Sequence, residues 1–279
     1  MLQKILIALI ALFVTFPAAA ADKNGAFDRI IESGVIRCGY YVFPPFTSRD
    51  PNTGELSGFV VDYMNRIAER SALKVEWTSE VTWANWIPEL QAGRFDVACT
   101  PMWPELAMLK VVSFTDPLFF AGLYPLVRKD DDRFTKADLA RLNQANVTVL
   151  GQESNATEAI VKAVFPQAKH FILPATAGGG EFFQALLTKK VDVMLTDRNG
   201  LSTYEKDNGR NFKFVGSDPL KLQSFPLAVA RGETALRDFL NQSIHELEYS
   251  GDTDRLLRKW EPEPGKTYLR VAKPYEASK

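Results

Sequence analysis

The sequence predicts an α/β chain arranged as two similar lobes, and three observations predict it. Short strand-like runs alternate with helical patterns along the chain, the signature of mixed α/β layering. A helix–turn–strand unit occurs twice, at 88–100 and again at 184–196. The length of 279 residues accommodates two units at about 150 residues each, long enough for each to bury its own core.

Taken in order, the first element is an export signal at residues 1–21. Lys4 supplies the positive start, Ile5 to Phe16 is an apolar run, and Pro17 precedes Ala18-Ala19-Ala20-Ala21. The run is about 12 residues where a membrane span needs about 20. Cleavage after Ala20 or Ala21 is expected, with no Cys there to carry a lipid, so the mature chain is expected to be soluble and periplasmic. Helical spacing follows at Val60, Met64, Ile67 and Ala68, and near the end at Leu236, Phe239, Leu240, Ile244 and Leu247. Between these helices lie strand-like runs such as 147–150 and 226–230.

The repeated unit is the most informative pattern. Residues 88–100 and 184–196 each give a helix end, a basic turn, an Asp-Val strand and a Thr four residues after the Asp. Ligands of open α/β sheets bind beyond the carboxyl ends of the strands. Two facing lobes therefore place Thr100 and Thr196 on opposite walls of one cleft.

Composition excludes other classes. With 33 Lys+Arg against 34 Asp+Glu the net charge is −1, and no basic face is available for nucleic acid. Two Cys and two His, far apart, give no zinc, iron–sulfur or haem spacing; no metal or cofactor is expected. Cys38 and Cys99 each end a strand-like run. In an oxidising compartment they either form a disulfide, if the strands are neighbours, or stay as two buried thiols. Asn146 and Asn155 fit the glycosylation pattern, which is too short to carry weight.

Five motifs in register carry a family resemblance: Ser33-Gly34-Val35-Ile36-Arg37, Phe43-Pro44-Pro45-Phe46, Gly58-Phe59-Val60-Val61-Asp62, Trp86 to Gly93, and Phe114-Thr115-Asp116-Pro117. Together they resemble the extracytoplasmic solute-binding proteins of family 3, polar amino-acid receptors of ABC importers. The likeness runs from about Gly34 to Trp260. It implies a two-lobed Venus-flytrap fold (type II periplasmic binding protein-like). Lobe 1 is then expected at 27–122 and 227–263, lobe 2 at 126–222, and a C-terminal tail at 264–279. Crossings fall near Leu123-Tyr124-Pro125 and Phe225-Pro226-Leu227. The implied partners are a small solute and a membrane ABC permease, with the chain acting as a monomer.

The resemblance also implies a pocket. Family members clamp the solute's α-carboxylate with a lobe 1 Arg, whose forked donors match two oxygens. The register puts Met108 at that position and Trp103 where a Ser or Thr is usual, so the clamp is missing. Asp197, after Thr196, holds the position that takes the ligand's ammonium group; it also reads as a turn Asp before Asn199-Gly200, and Arg198 beside it could pair with it. Phe43 and Trp83 are the expected aromatic plates, with Tyr40, Tyr41 and Trp103 nearby. Ser154 reads equally as a ligand contact and as a helix N-cap. The expected ligand-binding set is therefore Tyr40, Phe43, Trp83, Thr100, Trp103, Met108, Ser154, Thr196 and Asp197.

The expected function is capture of a small polar solute, aromatic or cationic, for import. Two alternatives stay open. One is a lyase resembling cyclohexadienyl dehydratases, with Glu153, Glu181 or Asp197 as acid or base. The other is a periplasmic accessory protein of a redox enzyme, with the cleft plugged by Trp103 and Met108.

Overall fold

The computed structural model describes residues 25–134, 138–153, 156–174 and 176–272. The predicted export signal and Ser154 lie outside these residues. The chain opens with α1 (Ala26–Ser33), β1 (Val35–Tyr40), β2 (Ser48–Arg49), β3 (Leu56–Ser57), α2 (Phe59–Arg70), β4 (Lys74–Glu80), α3 (Trp86–Gln91) and β5 (Val97–Ala98). A long strand, β6 (Val112–Arg128), leads into β7 (Thr148–Gln152), α4 (Ala156–Val164), β8 (Lys169–Leu173), α5 (Gly179–Leu187), β9 (Met194–Thr196), α6 (Arg198–Asn208) and β10 (Phe212–Phe214). The return strand β11 (Lys221–Ala230) is followed by α7 (Thr234–Tyr249) and α8 (Asp252–Trp260).

One sheet runs β10-β6-β11-β5-β1-β4, with β9 also pairing β6. β1 lies parallel to β4 and β5, whereas β11 runs antiparallel to β5 and β6. β6 is 17 residues long and changes core along its length. Leu118 and Phe119 pack with α2, α7 and β11, while Leu123 and Val127 pack with β7 and α4. Every residue from 121 to 128 is buried, as expected of a strand covered on both faces. Two clusters fill the first lobe, on either side of its sheet, and two fill the second. Thr267 and Tyr268, within the expected tail, are buried: Tyr268 lies against Phe119 at 4.7 Å, while the exposed Leu269 makes a backbone bridge to Phe120.

The repeated unit has a physical basis that its spacing alone does not reveal. Asp96 accepts the Arg37 N–H of β1 at 2.8 Å and pairs with the guanidinium groups of Arg29 and Arg37. Asp192 accepts the Thr148 N–H of β7 at 2.9 Å and pairs with Arg128 and Arg133. Each Asp therefore locks the start of a neighbouring strand with one backbone bond and two cations.

Cys38 and Cys99 are disulfide-bonded, with Cα atoms 5.4 Å apart. Cys38 sits opposite Val97 in the β1–β5 register, which makes the two positions neighbours. The bond closes a separation of 61 residues, a restraint worth about 2–4 kcal/mol. It also fixes the two strand ends from which the candidate site residues of the first lobe emerge. Elsewhere, Asp62 accepts from Trp260 Nε1 at 2.7 Å and ties α2 to α8. His245 pairs across to Asp116 at 3.0 Å, a partner from β6 distant in sequence.

Candidate functional site

In the first lobe the site residues follow the ends of β1, β4 and β5. Thr100 is buried, and its Oγ1 accepts the Tyr41 N–H at 3.0 Å, joining two of the loops. Phe43 is half-buried between Tyr41, stacked at 5.5 Å, and Phe46 at 5.4 Å. Trp83 is 50% exposed and Trp103 38% exposed, the latter edge-on to Phe225 at 6.2 Å. Each of these indoles presents a broad apolar face with a polar N–H, partly open to solvent.

Tyr40 and Met108 stand differently. The Tyr40 hydroxyl accepts from Arg49, and its ring is edge-on to Trp77 at 5.8 Å, so both its polar and apolar parts are engaged in packing. Met108 starts a short 3-10 turn, Met108–Lys110, and packs half-buried on the cluster of Trp86, Leu90 and Met102. No cation takes its place in that turn except Lys110, at the far end. Leu106, at the position of the Arg in a Pro-Glu-Arg reading, is 85% exposed.

In the second lobe Thr196 ends β9 and Asp197 caps α6. Asp197 Oδ1 accepts the Gly200 N–H at 2.6 Å, a side-chain cap of the exposed helix amides. A Cβ at Gly200 would stand 2.6 Å from Thr196 Oγ1 and 3.3 Å from Asp197 Oδ1, so glycine lets both side chains share this corner. Asp197 is half-buried, and burial pushes its carboxyl above the usual range, against the Gly200 and Asn199 N–H groups that pull it down. Arg198 does not pair with it. Its guanidinium lies over Tyr124 at 4.9 Å and Phe214 at 5.3 Å, leaving Asp197 without a cation among the described residues.

Sequence reasoning missed Tyr268. Its ring is buried, its hydroxyl has no hydrogen-bond partner, and it feels the charges of Asp197 and Glu261, which together with burial push the phenol up.

Two lobes joined by paired strands, with aromatic and polar side chains gathered at strand ends, define a solute-binding protein. The chain belongs to the bacterial extracellular solute-binding proteins, family 3, whose model matches residues 36–263. It is 27% identical over 217 residues to the ABC transporter glutamine-binding protein GlnH of Bacillus subtilis, covering 77% of this chain and 76% of that one. It is 24% identical over 255 residues to cyclohexadienyl dehydratase of Pseudomonas aeruginosa, covering 91% and 92%. Among solved structures it resembles the ancestral amino acid-binding protein AncCDT-1, a precursor of cyclohexadienyl dehydratase. That match has TM-score 0.63 and 28% identity, and covers 85% of this chain and 99% of that one. No helix among the described residues is long and apolar enough to cross a membrane.

Proposed function

We propose that this chain is a periplasmic receptor of an ABC importer that captures a small amine-bearing solute, aromatic or cationic, and presents it to a membrane permease. The observation that carries the reading is the pairing of an uncompensated Asp197 with a first lobe that offers aromatic faces and has Met108 where a carboxylate-clamping Arg is expected. A carboxylate free of any cation partner can take an ammonium group through a charge-assisted hydrogen bond. Trp83, Trp103 and Phe43 supply faces for a ring or for a cation. Met108 supplies nothing that could fork onto a carboxylate. Asp197 and Thr196 act from the second lobe, while Thr100 shapes the opposing loop through its bond to the Tyr41 N–H. Hinge closure about β6 and β11 would bring the two sets together.

The test is calorimetry on protein stripped of co-purified solute, using amines paired with their α-carboxylated counterparts: tyramine beside tyrosine, agmatine beside arginine. The reading expects the amine of a pair to bind at least as tightly as the amino acid. Tight binding of the amino acids alone would overturn it.

A second reading has its own support. The dehydratase relative is matched over nearly its whole length, and burial raises the Asp197 carboxyl, as a general acid requires. Incubation with prephenate or arogenate decides it: formation of an aromatic product selects the lyase, and unchanged substrate removes it.

A further inference from the structure

A cavity of about 580 Å³ lies between α6 and the segment that follows α8, with Pro44 and Pro45 at one end. It shares no lining residue with the aromatic and Asp197 groups described above, although Arg198 follows Asp197 directly. One wall belongs to the second lobe and the other to the first, so an occupant would touch both.

Its charges are unevenly committed. Arg198, Lys206, Arg210 and Lys266 line it, and none forms an ion pair among the described residues. Of the three lining carboxylates, Glu261 is already taken: it is wholly buried, paired with Arg270, and accepts the Tyr268 N–H at 2.9 Å. Four cations thus face two uncommitted carboxylates, Glu205 and Glu263. The Arg198 guanidinium lies over the Tyr124 and Phe214 rings, at 4.9 and 5.3 Å from their centroids. It has no carboxylate partner among the described residues, and a guanidinium's forked donors suit carboxylate or phosphate oxygens.

We propose that this cavity is a second binding site, for a small multivalent anion bearing carboxylate or phosphate groups. The anion's oxygens meet Arg198, and the rim cations Lys206, Arg210 and Lys266 draw it in.

The test is isothermal titration at low salt of the full mature chain, freed of co-purified molecules, with citrate and with pyrophosphate as separate probes. Single-site binding of either probe is expected, and the probe that binds assigns the class. Arg198→Gln should weaken it at least about tenfold, as loss of one charged hydrogen bond does. A Lys206→Ala/Lys266→Ala variant, altered only at exposed positions, should also weaken it and make the loss with added salt shallower, because fewer screened charges then contribute. If neither probe binds the unaltered protein, or binding is indifferent to both the Arg198 and the rim variants, the proposal is overturned.

Discussion

The two copies of the Asp-Val-x-x-Thr unit are alike in scaffold and unlike in chemistry. Asp96 and Asp192 do the same work in their lobes, each accepting one strand N–H and pairing with two arginines. The copies diverge four residues later. Thr100 is buried and bonded to the Tyr41 N–H, and Pro101 follows it; Thr196 is half-exposed, and Asp197 follows it. The first lobe therefore offers shape and aromatic surface, and the second offers charge. Duplicated architecture fixes where a site can be, whereas the residues just beyond the strand ends decide what it can hold.

The comparison can be broken most forcefully at the scaffold. Asp96→Ala leaves two guanidinium groups and the Arg37 N–H without their shared acceptor; removing one partner of a buried pair costs about 3–5 kcal/mol. Asp192→Ala should cost less, because the Asp192 side chain is 17% exposed against 1% for Asp96. Urea unfolding of both variants checks the order, and a larger loss for Asp192→Ala would contradict it.

The next effect is confined to the first lobe. Cys38→Ser with Cys99→Ser should lower stability by about 2–4 kcal/mol and loosen the loops carrying Phe43 and Trp103. Hydrogen exchange should show faster exchange at the Tyr41 amide, with the Gly200 amide of the second lobe unaffected.

Acid should act on the second clamp in a defined direction. Burial raises the Asp192 carboxyl, but the Thr148 N–H and the nearby arginines outweigh it and hold the carboxyl below its usual range. A depressed folded value means the stabilisation is present above the unfolded value of about 3.9 and is lost as pH falls through the folded one. Stability should thus decline below about pH 4, and the decline should be shallower in Asp192→Asn. Asp197 moves the opposite way: with its carboxyl raised, binding of an ammonium group should fade at a higher pH than an ordinary Asp would give.

Much of the fold was legible because it rests on local pattern. Periodicity marks α2 and α7, and the echo marks two equivalent lobes. The absence of an Arg near Met108 is a matter of register alone. What the sequence could not show depends on contacts between distant residues. Arg198 was readable as a partner of Asp197 by adjacency, yet the aromatic rings of Tyr124 and Phe214, from other strands, draw it away. Tyr40 sits among the site motifs but is engaged by Arg49 and Trp77. Tyr268 reaches the Asp197 side only because the chain after α8 folds back against Phe119.

The central claim is that solute recognition rests on the charge of the second lobe. The most direct measurement is calorimetric titration of the tyramine and agmatine probes into the unaltered protein and into Asp197→Asn, which keeps an acceptor for the Gly200 N–H. The account predicts that the bound amine loses about 1.5–3 kcal/mol of affinity in the variant. Unchanged affinity would contradict it and remove Asp197 from the site.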